Sequence, residues 1–118
     1  MTKNNIIQEK SLDFAVRIVH LCRYLREDRR EFVIGKQIMR SGTSIGANVR
    51  ESRNAQSDAD FVSKLSIALK EADETQYWLE VLYRSEIIDE MMYNSYCEDV
   101  KELVALLISI IKTMRSKM

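Results

Sequence analysis

Apolar residues recur along this chain at alternating spacings of four and three, the period of an α-helix, and polar clusters interrupt the pattern in three places. The first helix is predicted from about Ser11 to Asp28, with Phe14, Ile18, Leu21 and Leu25 in one stripe and Ala15, Val19 and Cys22 widening it. Asp28-Arg29-Arg30-Glu31 is the first break. A second helix is predicted from Val33 to Arg53, ending in the turn signal Asn54-Ala55-Gln56-Ser57. Ser57 is then the expected N-cap of a third helix, because its hydroxyl can accept from a backbone N–H three residues on, and Asp58 and Asp60 suit the positive helix start. The stripe of this third helix is Phe61, Leu65, Ala68, Ala72, Thr75, Leu79 and Leu82, fading near Arg84-Ser85-Glu86. A fourth helix runs from about Asp89 toward Met114 on Tyr96, Val100, Leu103, Leu107, Ile110 and Met114.

Four amphipathic helices joined by short polar breaks predict an all-α fold, an antiparallel up-down-up-down four-helix bundle in a single domain over residues 1–118. The ordered core is expected over about residues 10–115, with the first ten residues and the last three frayed. Composition supports this reading. Proline is absent and glycine occurs only at 35, 42 and 46, so the chain has few turns and hence few, long elements.

The second helix is the unusual one. Ile34, Ile38, Ser41, Ile45, Asn48 and Ser52 fall on its inward stripe, and half of them are polar. Gly42-x-x-x-Gly46, with Ser41, Ser44 and Ala47 around it, suits close approach of two helix backbones, by analogy with membrane helices. Each glycine costs about 1 kcal/mol of helix propensity, which a packing need or a bend would have to offset. Asn48, if buried, needs amide partners and would fix register between helices or subunits. The fourth helix carries a second apolar stripe, Val104, Ile108 and Ile111. Something has to cover that stripe, whether a second copy of the chain or a thicker bundle core.

Charge is balanced overall but not along the chain. Residues 1–59 hold eleven Lys/Arg against seven Asp/Glu, and residues 60–118 hold seven against eleven, so the halves carry +4 and −4. Internal pairing of a basic helix pair with an acidic one accounts for this cancellation. The alternative is a basic surface for RNA or DNA phosphates, built from Arg23, Arg26, Arg29, Arg30 and Lys36 together with Arg50 and Arg53.

Candidate chemistry is sparse. His20 is the only histidine, and Arg17 stands three residues before it, so a Glu-x-x-His di-iron pattern is missing. No nucleophile elbow or glycine-rich phosphate loop occurs. Glu51, Glu71 and Glu74 are the carboxylates that a hard cation would need, but carboxylates on helix faces more often meet arginine or water. Cys22 and Cys97 are far apart, follow no C-x-x-C pattern and fit apolar stripes as buried thiols in a reducing compartment. No catalytic residue, metal, cofactor or small-molecule substrate is therefore expected. MTKNNIIQEK lacks a signal-peptide pattern, and the longest apolar run, Leu103 to Ile111, falls short of the ~20 residues of a membrane span. A cytoplasmic protein with no membrane partner is expected.

Gln37-Ile38-x-Arg40, Ser44-Ile45-x-x-Asn48-Val49-x-Glu51-Ser52, Phe61, Leu65, Ile67-Ala68-Leu69 and Glu74 resemble the four-helix-bundle proteins encoded in intervening sequences of bacterial 23S rRNA genes. The resemblance is collinear over about residues 10–115. It extends to the accessory variability determinant of diversity-generating retroelements. It implies an antiparallel four-helix bundle assembling as a homopentamer, a link to nucleic acid through the retroelement relative, and no enzymatic activity. It marks Arg40, Ser44, Asn48, Glu51 and Glu74 as the packing and register signature. This chain departs from the family at Gly46, where proline or a small residue is common, and at Lys70-Glu71, where Gly-Ser is common. It is also neutral where the retroelement relative is strongly basic.

Overall fold

In a computed structural model, which describes residues 2–118, the chain forms helices α1 (Lys3–Glu27), α2 (Val33–Ser52), α3 (Asp58–Arg84) and α4 (Glu90–Lys117). The molecule measures 47 × 22 × 21 Å, close to the length of α4 itself, about 42 Å at ~1.5 Å per residue. Side-chain bonds between helices fix their directions. Gln8 reaches the Val49 carbonyl while Cys22 reaches that of Gly35, so α1 and α2 run antiparallel. Lys10 pairs with Glu102 and Arg17 with Asp99, so α1 and α4 do as well. Each helix packs on its neighbours in sequence, and α1 meets α4 to close the square.

The polar breaks end the helices as expected. Ser57 accepts from Asp60 N at 3.0 Å, and Asp89 accepts from Met92 N at 2.8 Å. At α2 the cap is displaced by one residue. Phe32 has no capping side chain, and the Glu31 carboxylate accepts instead from the N–H groups of Gly35 (2.9 Å) and Val33 (3.4 Å). Arg30 (φ 55°) and Glu86 (φ 63°) take the left-handed conformation just beyond α1 and α3, a position that glycine more often fills.

One boundary differs clearly from expectation. Of the ten residues expected to fray, Met1 lies outside the described residues and the rest are built into the helix: α1 begins at Lys3, Thr2 caps it by accepting from Asn5 N, and Ile7 is buried. The stripe runs Ile7, Ser11, Phe14, and Ser11 hid its continuity because it is small and polar. Α4 likewise extends to Lys117 rather than fraying over the last three residues. Small offsets follow from the drift of a 3.6-residue helix against a seven-residue count. Val62 is buried where Phe61 was expected, and Ile34, Phe61 and Met114 are only half-buried. On α4 the second apolar stripe is largely taken up by the chain itself, with Ile111 buried, Val104 half-buried and Ile108 still exposed.

Candidate interaction surfaces

Helix α2 is read by its neighbours through two different edges. On the α1 side the glycines make room. A Cβ at Gly42 would lie 2.7 Å from Cγ1 of the fully buried Ile18, and one at Gly46 would lie 3.0 Å from the Ser11 carbonyl oxygen. Gly46 is thus the point of backbone approach, and Gly42 is a notch for a side chain. Gly35 differs, since a Cβ there would meet nothing nearer than 3.8 Å.

On the α3 side the register device is a pair of buried hydroxyls, Ser41 and Thr75, 3.0 Å apart. Thr75 donates to the carbonyl of Glu71 at 2.8 Å, so its single proton is used and Ser41 donates to it. Asn48, a register residue if buried, is only half-buried, and its amide donates to the Ser44 carbonyl of its own helix at 2.8 Å. Among the described residues it therefore bonds no other helix. The pairing of Ser41 with Thr75 was open to sequence reading, because each is a hydroxyl residue on the inward stripe of its helix.

The rest of the signature lies on the outer edge where α2 meets α3. Arg40 bonds Glu74 and reaches Glu71 at 3.4 Å, while the Trp78 ring N–H donates to Glu74 at 3.2 Å. Ser44 donates back to the Arg40 carbonyl at 2.5 Å. Glu51 is exposed and forms no ion pair among the described residues. Pairs this open to water contribute little stability, so they orient the two helices more than they bind them.

The expected basic surface divides in two. Arg23, Arg26, Arg29, Arg30 and Lys36 gather around the α1–α2 turn, all exposed. Arg50 and Arg53 stand at the other end of α2, roughly 21–25 Å from Lys36 at ~1.5 Å per residue.

Burial favours the protonated form of both thiols and of the Tyr96 phenol. Desolvation pushes the Cys22 thiol up to about 11, and the same cause raises Cys97 and Tyr96, the latter despite the Arg17 guanidinium 4.1 Å from its ring. His20 is exposed on α1. No group of three or more His, Cys, Asp or Glu positioned to hold a metal occurs among the described residues. Among those residues, too, no helix is long and apolar enough to cross a membrane. A cavity of about 570 Å³ lies at the open end of the bundle between the α1 start and the α2–α3 turn, over Ile7, Phe61 and Met114.

The four-helix fold is shared with known proteins. The family model described as 23S rRNA-intervening sequence protein matches residues 3–109. The chain belongs to that family. A crystal structure of a protein of unknown function from the S23 ribosomal protein family of Bacteroides thetaiotaomicron superposes with a TM-score of 0.93 at 58% identity, covering 94% of this chain and 99% of that one. No curated protein matches. Membership of the 23S rRNA-intervening sequence proteins agrees with the four-helix form and brings no assigned activity with it.

Proposed function

We propose that this chain is a non-catalytic, self-assembling helical module whose α1–α2 face is the contact surface between copies. One observation carries the reading. Leu12, Val16 and Val19 stand on a single stripe of α1 at 50%, 49% and 37% exposure, one helical turn apart, on a helix whose opposite stripe already fills the core. The stripe borders a shallow groove of about 260 Å³ floored by Ala15, Gly46 and Ala47, which the close α1–α2 approach at Gly46 leaves open to another helix. Full burial of an aliphatic side chain is worth ~1.5–3 kcal/mol, so covering three that are half-exposed offers about half that for each. Resemblance to the family makes five the copy number to look for.

Light scattering coupled to size exclusion tests this. The native chain should elute as a multiple of 13.8 kDa, and Leu12→Glu/Val16→Glu should elute at 13.8 kDa with unchanged helicity. A native mass of 13.8 kDa at micromolar concentration would remove the proposal.

A second reading, an accessory protein that holds RNA or DNA by its phosphates, draws on the five cations around the α1–α2 turn. Contacts of that kind position a backbone without reading sequence. Binding to a generic RNA or duplex should then weaken by a factor of ten or more between 50 and 200 mM salt, on the order expected when several phosphates are neutralised. Absence of binding at the lower salt would exclude it.

A further inference from the structure

One turn beyond Val19, a second pocket between α1 and α2, of about 290 Å³, is lined by Cys22, Gly35, Phe32 and Met39 together with Arg26 and Lys36. Its charge is less compensated than it looks. The Glu31 carboxylate at its edge is committed to the amides that start α2, and Arg40 turns away to Glu71 and Glu74. Arg26 meets only its neighbour Glu27, at 3.9 Å, and Lys36 forms no ion pair among the described residues.

The complementary shape lies elsewhere on the same chain. Met91, in the first turn of α4, is 82% exposed, the most exposed of the large apolar residues described. It sits in Ser85–Ser95, a stretch with three carboxylates (Glu86, Asp89 and Glu90) and no Lys or Arg. None of the three carboxylates pairs with a cation among the described residues. A flexible apolar side chain among three carboxylates thus stands opposite in kind to an apolar pocket rimmed by an arginine and a lysine.

We infer that the pocket between Cys22, Phe32 and Met39 receives Met91 from a second copy of this chain, with Arg26 and Lys36 facing that copy's Glu86 and Glu90. This contact rests on the self-assembly reading and specifies its partner. Knob and pocket are different surfaces, so the contact is head-to-tail, with each copy giving its knob to one neighbour and its pocket to another.

That asymmetry supplies the test. Phe32→Asp spoils only the pocket and Met91→Asp only the knob, and both positions are exposed enough for the fold to tolerate the change, as circular dichroism would confirm. Each variant alone should elute at 13.8 kDa. An equimolar mixture should form a species of two chains, since one intact pocket and one intact knob remain. An assembled native chain whose mass Met91→Asp leaves unchanged would overturn the contact while sparing the self-assembly reading, particularly if Leu12→Glu/Val16→Glu still dissociates it. A mixture that stays at single-chain mass would also overturn it. A native chain of single-chain mass would overturn both.

Discussion

Gly42→Ala should destabilise the bundle by up to about 2 kcal/mol, although alanine is the better helix former. The added methyl would stand 2.7 Å from Ile18 Cγ1 and 3.0 Å from both Cγ2 and Cδ1, in a core where Ile18 is fully buried. Forcing a carbon into a packed core costs about 1–3 kcal/mol, and the propensity gain returns about 1. For a chain of this size each kcal/mol moves the melting temperature by roughly 3–6 °C. Gly35→Ala is the built-in comparison. Its methyl finds ordinary contact with Leu25 at 3.8 Å, so it should be neutral or raise stability by up to about 1 kcal/mol. Urea denaturation of the two variants beside the parent reads both signs. Coupling gives a sharper check: Ile18→Ala opens the space the new methyl needs, so it should cost less beside Gly42→Ala than alone. Strictly additive costs would mean that Gly42 does not hold Ile18.

Thr75→Val should cost about 1–3 kcal/mol even though the two side chains have nearly the same shape. It removes the acceptor of the buried Ser41 hydroxyl and leaves that group unpaired at 0% exposure. The double replacement Ser41→Ala/Thr75→Val removes both polar groups together and should recover much of that loss. Equilibrium unfolding of the two single variants and the double variant gives the coupling energy. A coupling near zero would show that the hydroxyls ignore each other and that register is set by shape alone.

How far the fold can be read in advance depends on which residues carry it. Aliphatic stripes announced all four helices, and Ser57 and the Asp28–Glu31 and Asn54–Ser57 breaks announced where they stop. Periodicity failed wherever a small or polar residue occupied a core position. Ser11 is buried against Gly46, so a reader counting apolar residues starts α1 eight residues late. Asn48 drew attention because it looked inward on an ideal wheel, yet it stands at the rim and bonds its own helix. The hydroxyl pair that does join two helices was visible only as two separate stripe members, because sequence spacing within one helix says nothing about alignment with the next. The Leu12–Val16–Val19 stripe was hidden for a related reason. Val19 read as a widening of the core stripe, and only the position of α2 shows which flank of α1 is covered and which is bare.

Helix α2 meets α1 through notches at 42 and 46 and meets α3 through a hydroxyl at 41, and this has a consequence for the chain before it is folded. Amphipathic helices without such marks can collapse in several alignments of nearly equal energy. Here a slip of one turn, about 5.4 Å, would leave either Ile18 or Ser11 facing a side chain in place of a glycine and would part the buried Ser41 hydroxyl from Thr75, its acceptor. Both losses arrive together, because one rigid helix carries both marks. Misaligned compact states are thereby lifted well above the native one, and the search among collapsed conformations narrows toward a single basin.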